Sequence, residues 1–555
     1  MKTLKIAILG DSATQLIRKF LQAKSTENDL QLEIYEADFN QIEQQILNTN
    51  SELYRLKPDF VIVFQSSQQL LYQFQTTNTN TRLSFAENFI NHTSNLIQTI
   101  NTQLNCKILW NNFYEINDSI FGNYTNKTAN SFLSQQRKIN LSLSELCGAF
   151  GNLYLYDLSS GQNKIGATAF IDWRLYYLSK MALSIDGMQA MVNEIAAIIK
   201  ALNGHFKKCL ILDLDNTLWG GVIGDDGLEN IQIGDLGIGK AFSDIQLWAK
   251  DLKNRGVLLA ICSKNNEEIA KDPFLKHPDM VLKLDDIAIF MANWNNKVDN
   301  IRHIQNVLNI GFDSMVFIDD NPFERNMVRE TLHEITVPEL PDDPTEYLTF
   351  LRGLNLFETT SVSQADSERT QQYQTEAKRI KLKTSFSNEA DYLKSLNMIC
   401  QVSTLNPYLI PRVAQLTQRS NQFNLRTQRY NEQQMQQMHE SEEFEIFTFS
   451  LSDKFGDYGL VSVVILQKQE TNLFVDTWIM SCRVLKRGLE LFVLDRIVKF
   501  ARENDFTTII AEYLPTTKNQ LVEKHYENLG FSEFRGKWFL PINAFSGLQY
   551  FIKEK

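Results

Sequence analysis

Asp213 and Asp215 stand two residues apart at the end of the apolar run Leu210-Ile-Leu212. On an extended strand that spacing points both side chains to the same side. Two like charges held together repel, and a bound divalent cation removes that cost. Magnesium takes oxygen ligands and needs few of them from protein. An aspartate can also attack phosphorus and form an aspartyl-phosphate. Taken alone, Asp-x-Asp reads as a polar strand end capping a loop. Three further elements follow it in order. Ser263 comes directly after the apolar stretch Val257 to Cys262. Lys297 closes Asn293-Trp-Asn-Asn-Lys297. Asp319 and Asp320 end Met315-Val-Phe-Ile318. In an open parallel sheet ligands bind at the C-terminal strand ends, and all four elements would converge there.

In this order the residues resemble the four motifs of the haloacid-dehalogenase superfamily. The resemblance implies that Asp213 is the nucleophile and Asp215 the general acid and then base. Ser263 and Lys297 would hold the phosphoryl oxygens. A Mg2+ ion would be held by Asp213, Asp319 and Asp320, with Asp215 contributing its backbone carbonyl. Many phosphatases of this superfamily close a cap domain over the site. Here Leu218 to Ser263 offers only a stretch containing Gly220, Gly221, Gly224 and Gly227 and one amphipathic helix from about Ser243 to Arg255. Ser263 to Lys297 is equally short. A capless site is therefore expected, open to a bulky partner, and another element must exclude water.

The wording around the motifs is more particular. Leu214-Asp-Asn-Thr-Leu-Trp-Gly-Gly-Val-Ile-Gly-Asp-Asp-Gly227, Ile261-Cys-Ser-Lys-Asn265 and Val316-Phe-Ile-Asp-Asp-Asn-Pro-Phe-Glu-Arg325 resemble the FkbH-like proteins. So do Thr417-Gln-Arg-Ser-Asn-Gln-Phe-Asn424, Asp453-Lys-Phe-Gly-Asp-Tyr-Gly459 and Ser481-Cys-Arg483. The resemblance implies an enzyme that dephosphorylates a glyceryl-type acyl phosphate, 1,3-bisphosphoglycerate, and loads the acyl group as a thioester on an acyl carrier protein. The alternative is a plain phosphatase in surface-polysaccharide or secondary-metabolite synthesis. Thioester loading needs a thiol. Cys262 and Cys482 lie in the motifs, but both read more simply as small core or strand residues.

These residues need α/β elements to position them. At 555 residues the chain is too long for one core. The expected class is multidomain α/β. Residues 1–203 would form an SGNH- or flavodoxin-like parallel sheet, and 204–358 a capless haloacid-dehalogenase, Rossmann-like domain. A helical linker over 359–398 would lead to an α+β GNAT-like domain over 399–555. The first domain opens with the strand Leu4 to Leu9 and the turn Gly10-Asp11-Ser12, which resembles an SGNH hydrolase. A serine hydrolase needs a base near its serine. The chain offers Asp172-Trp-Arg-Leu175 without a histidine, and His92 and His205 lack the context. Asp11 and Ser12 are therefore expected to cap the first helix.

The last domain resembles the GNAT fold through Arg483-Val-Leu-Lys-Arg-Gly488 and Lys518 to Phe531. That resemblance implies a CoA or phosphopantetheine site at Arg483, Arg487 and Gly488, beside a helix N-terminus. Lys486 stands where the fold's pattern has glycine, so a docking domain without catalysis is an equal reading. Net charge is −11, which argues against a general nucleic-acid binder. No apolar run approaches the ~18 residues of a membrane span, and no signal peptide is evident. The six cysteines lack metal-ligand spacing. A cytoplasmic protein is expected.

Overall fold

The computed structural model describes residues 3–27, 31–362, 369–383, 386–516 and 518–555. The chain is mixed α/β and divides into two compact units, Met1–Lys200 and Ala201–Lys555.

The first unit is built on a parallel sheet of five strands: β1 (Thr3–Gly10), β2 (Gln31–Glu36), β3 (Phe60–Phe64), β4 (Lys107–Asn111) and β5 (Leu153–Tyr156). Their order is β2-β1-β3-β4-β5. Central β3 is buried along its whole length, as a strand covered on both faces must be. Edge strand β2 alternates polar and apolar residues and is half exposed.

The second unit holds two sheets. The four-stranded one is parallel, in the order β8-β7-β6-β9, from β6 (Cys209–Leu212), β7 (Leu258–Ser263), β8 (Ile287–Ala292) and β9 (Met315–Ile318). Alternation along β6 feeds two cores. Leu210 and Leu212 pack with Phe242, Ile245 and Ala249 of the helix Gly237–Asn254. Cys209 and Ile211 pack with Ile301, Ile304 and Leu308 of the helix Lys297–Leu308. The apolar strands are therefore sealed on both faces, and only their ends are left for chemistry. The first of these helices starts six residues before the expected Ser243. Two glycines hide that start from propensity reasoning. Gly239 is needed there, because a Cβ would come within 2.9 Å of the Ile233 backbone.

Between Leu218 and Ser263 the chain forms one bridge, Gly220 to Gln232, a single short turn of helix and the helix Gly237–Asn254. Among the described residues no cap domain is inserted in this stretch.

The eight-stranded sheet runs β15-β16-β14-β13-β12-β11-β10-β17. It uses β10 (Met398–Thr404), β11 (Phe444–Asp453), β12 (Gly456–Gln469), β13 (Asn472–Met480), β14 (Thr508–Glu512), β15 (Ser532–Phe534), β16 (Lys537–Pro541) and β17 (Ile552–Glu554). β10 to β13 are antiparallel neighbours, and β13 pairs with β14 in parallel. That parallel pair needs a crossover, supplied by the helix Leu489–Glu503.

The helix Arg369–Lys383 connects the two sheets of this unit. Its Gln374 Nε2 donates to Ile287 O at 2.8 Å, at the start of β8. Its Arg379 grips the buried Asp453 with two bonds of 2.8 Å. Among the described residues no helix is long and apolar enough to cross a membrane.

Candidate active site

Every strand of the four-stranded sheet delivers its chemistry at its C-terminal end, and the following turn is locked by local hydrogen bonds. After β6, Asn216 adopts a left-handed φ of 52°. Asparagine tolerates that conformation well. Its Oδ1 accepts from Gly221 N at 2.9 Å. After β8, Asn296 caps the helix that begins at Lys297, accepting from Val298 N at 2.8 Å. After β9, Asn321 caps the next helix through Phe323 N at 2.9 Å, with Pro322 in the first turn. Each catalytic side chain therefore sits on a stiff strand-to-helix junction.

Asp213, Asp319 and Asp320 come together. One carboxylate oxygen from each lies within 4.8 Å of the others. Lys297 Nζ bridges two of them, 3.0 Å from Asp213 Oδ1 and 2.5 Å from Asp319 Oδ2. Lys297 is only 3% and Asp319 0% exposed, while Asp320 is half-buried at the rim. Three carboxylates face one ammonium, so the fully ionised cluster carries two surplus negative charges. Burial, then the charge of Asp213, pushes the Asp319 carboxyl up to about 7 against the pull of Lys297. The same two causes push Asp320 up to about 6. At Lys297 burial disfavours the charge, but Asp213 and Asp319 outweigh it and raise the ammonium above its usual range. These hard oxygen donors with a −2 surplus fit a divalent cation such as Mg2+.

Asp215 belongs to a different environment. Its carboxylate is outside the metal-ligating cluster, so any contribution to the cation falls to its backbone carbonyl. Oδ1 accepts from Trp219 Nε1 at 2.9 Å and from Ile223 N at 3.0 Å, and Oδ2 from Asn265 Nδ2 at 2.7 Å. Burial still wins over those three donors and raises its pKa. The two aspartates of one motif are thus set apart, one beside an ammonium and one held by neutral donors.

Ser263 is buried at the end of β7, next to the β6 junction. Three residues outside the predicted set complete the scaffold. Thr217 Oγ1 accepts from Asp320 N at 3.2 Å, tying the first motif to the fourth. The buried guanidinium of Arg325 donates to Asp319 O at 2.9 Å and Asp320 O at 2.6 Å. Lys264 Nζ pairs with Glu324 at 2.6 Å, joining the β7 turn to the helix after Asp320.

A family model described as the FkbH N-terminal domain matches residues 5–200. The N-terminal part of BF1531 from Bacteroides fragilis, solved with its phosphatase domain complexed with Mg, is 47% identical. The alignment covers 65% of this chain and 95% of that one, with a TM-score of 0.63. The chain belongs to the FkbH-like family. Its four-stranded domain is a phosphatase domain of the haloacid-dehalogenase type. The ribosomal-protein-S18-alanine N-acetyltransferase of Escherichia coli is 18% identical over 27% of this FkbH-like chain and 99% of its own length, at a TM-score of 0.21. Spermidine/spermine N-acetyltransferase SpeG from Vibrio cholerae is 12% identical over 26% and 94%, also at 0.21. At that level neither says anything about this chain's chemistry. None of the curated proteins matches it.

Arg483, Arg487 and Gly488 do lie between β13 and its crossover helix, and Gly488 starts that helix at a φ of 76°. The arginines, however, are engaged inside the protein. Arg487 is buried against Tyr458 Oη and 3.5 Å from Asp453. Arg483 donates to Gln372 of the connecting helix and to Ser481 Oγ. Cys262 is buried, its thiol pushed up by burial above the range in which it could ionise. That fits the core reading. The Cys482 side chain lies outside the described residues.

In the first unit, Asp11 does not cap the first helix. Both its oxygens accept from Ser66 N at 2.9 Å, at the start of the helix Ser67–Thr76. Burial raises its pKa to about 7, against the Ser66 bonds. Asp172 caps its own helix through Arg174 N and Leu175 N, and His92 pairs with Glu43 at 2.9 Å.

Proposed function

We propose that this chain is a Mg2+-dependent phosphatase and acyltransferase that acts on a glyceryl-type acyl phosphate and loads the acyl group on an acyl carrier protein. The observation that carries the phosphoryl step is the cluster of three carboxylates at a sheet edge, two of them bridged by Lys297. On a donor carrying both an acyl phosphate and a phosphate ester, Asp213 Oδ forms the bond to the ester phosphorus as the bond from that phosphorus to the leaving oxygen breaks, while the carrier's thiol forms the thioester by displacing phosphate from the acyl carbon. Asp215, its proton favoured by burial, gives that proton to the leaving oxygen where the leaving group is an alkoxide. It then takes one from the water that cleaves the aspartyl-phosphate. Ser263 and Lys297 hold the phosphoryl oxygens. A bound Mg2+ supplies neutralisation of the charge that gathers on those oxygens. Asp213, Asp319 and Asp320 would hold it, and the BF1531 relative was solved in complex with Mg.

The open site supports the carrier reading. With no cap, the face can receive an arm tethered to a second protein, and a cytoplasmic setting would supply both the phosphorylated donor and the carrier. The test is to incubate the protein with Mg2+, 1,3-bisphosphoglycerate and holo carrier protein and weigh the carrier intact. A glyceryl adduct that vanishes in Asp213→Asn is expected. Phosphate release with no adduct would reduce the reading to a plain phosphatase.

A further inference from the structure

The reacting carboxylates share a face of their sheet with Lys264, to which the phosphoryl step gives no part. Along β6, Cys209 and Ile211 face one core and Leu210 and Leu212 the other, so the next step puts Asp213 on the Cys209 face. Leu258, Ala260 and Cys262 of β7 lie on that face too, as do Met315 and Phe317 of β9. Lys264 and Asp319 continue those two series. In the parallel register Leu212 stands level with Ile261, so Asp213 is level with Cys262. Lys264 is one pleat further, roughly 7 Å towards the strand ends. The charges at the Cys262 level agree. Burial raises that thiol, Lys297 lowers it, and Asp213, Asp319 and Glu324 each raise it again.

The turn that carries Lys264 is stiff. Asn265 Nδ2 donates to Asp215 Oδ2 at 2.7 Å, and Asn266 caps the next helix through Glu268 N at 3.0 Å. Lys264 Nζ itself donates to Glu324 Oε1 at 2.6 Å. Glu324 belongs to the helix Pro322–Thr331, whose Val328 packs in the same core as Cys262. The Glu324 side chain is 7% exposed and that of Lys264 36%. The carboxylate therefore holds the ammonium from its buried side and leaves the other side to solvent. An ammonium has three N–H donors, and this bond uses one. The four turns at the C-terminal strand ends, 213–223, 263–267, 293–297 and 319–324, contain two cations, Lys264 and Lys297. Lys297 is buried between Asp213 and Asp319. Among these described residues, Lys264 is thus the cation that an incoming donor can reach.

We propose that Lys264 is the specificity-determining residue of this phosphatase site, gripping a second anionic group on a short phosphate ester, and that Glu324 is the positioning residue that keeps its ammonium at the rim. The inference rests on the reading of Asp213 as the group that attacks phosphorus. One pleat is the span of a short carbon chain, so an ester whose phosphorus lies at Asp213 brings its far end to Lys264. The Lys264–Glu324 pair is neutral overall, and what it offers an anion is two charge-assisted donors.

The experiment compares steady-state phosphate release by the full chain, with Mg2+, from glycerol 3-phosphate, 3-phosphoglycerate and glycerol 1,3-bisphosphate. At the far end these carry a hydroxyl, a carboxylate and a phosphate. Wild type should favour at least one of the two anion-bearing esters over glycerol 3-phosphate about ten-fold in kcat/KM, and the one favoured identifies the group gripped. Lys264→Gln should remove that preference, mainly through KM, and Lys264→Arg should restore part of it. A merely structural role would lower all three substrates together. The double variant Lys264→Gln with Glu324→Gln leaves no buried charge unpaired. It should lose the same preference, and it covers the case in which Lys264→Gln does not fold. The idea is overturned if wild type shows no preference, or if the preference survives in both variants. Release from none of the three esters by wild type would sink the phosphoryl-transfer reading, and this inference with it.

Discussion

Two parallel sheets in this chain each present an aspartate at the end of an apolar strand, and only one of them is built for phosphoryl transfer. At the end of β6, Asp213 meets two more carboxylates and one buried ammonium. At the end of β1, Asp11 meets the backbone N–H of Ser66, and its surroundings are neutral hydrogen-bonding groups. The ends of the neighbouring strands there are already tied together, since Asn111 Oδ1 accepts from Gln65 N and its Nδ2 donates to Gln65 O, both at 2.8 Å. Burial raises the pKa of Asp11, and Asp213 is itself buried. The difference is charge. The second-unit cluster has a surplus that a cation resolves, whereas Asp11 resolves its own burial by holding a proton near neutral pH. A strand-end aspartate is therefore a site only when other strands bring charge to it.

The sharpest way to break this contrast is to remove the two acids in turn. Asp213→Asn should lower phosphate release more than about 10^3-fold, the scale of losing a covalent nucleophile. If Asp11→Asn lost as much, the assignment of chemistry to the second unit would be wrong. Lys297→Gln comes next. It leaves Asp213 and Asp319 buried without their ammonium, which should cost about 3 kcal/mol in denaturant titrations without metal. Mg2+ should restore more stability to this variant than to wild type. An equal response in both proteins would mean that the cation does not sit on these carboxylates. Asn265→Ala is milder. Asp215 keeps Trp219 and Ile223 N but loses its Oδ2 partner. The turnover rate should fall about ten-fold with little change in KM, as expected when a proton donor is less well held.

What could be read from the sequence follows from the same contrast. Asp213, Ser263, Lys297 and Asp319 each follow an apolar run or open a capped helix, so strand, turn and chemistry are encoded within a few residues. Strand β8 is less visible, because Ile287–Ala292 is introduced by the acidic turn Leu284-Asp-Asp286, and β2 alternates like the edge it is. The supporting bonds of Asn265, Thr217 and Arg325 depend on partners 50, 103 and 5 to 6 residues away. Only the last is local, and it goes to backbone, which no residue type announces. The side-chain partners of Arg483 and Arg487 were hidden for the same reason. Their partners Gln372, Asp453 and Tyr458 lie 111, 34 and 29 residues off, so the local motif does not show that both guanidiniums are taken.

The smallest effect on catalysis belongs to Asp11, and it sharpens the comparison from the other side. Asp11→Asn should leave phosphate release unchanged, because the amide oxygen can still accept from Ser66 N. Its effect should appear in stability against pH. The folded carboxyl titrates near 7, above its unfolded value of 3.8. Its favourable contribution is thus complete below about pH 4 and is lost as pH rises through about 7. Wild type should therefore lose up to about 1.4 kcal/mol per pH unit in that window relative to the neutral variant. Hydrogen exchange of peptides from residues 5–200, followed between those pH values in the full chain, reads this locally. Parallel profiles for wild type and Asp11→Asn would mean that Asp11 is ionised in the folded protein, and the two strand ends would then differ in neighbours but not in protonation.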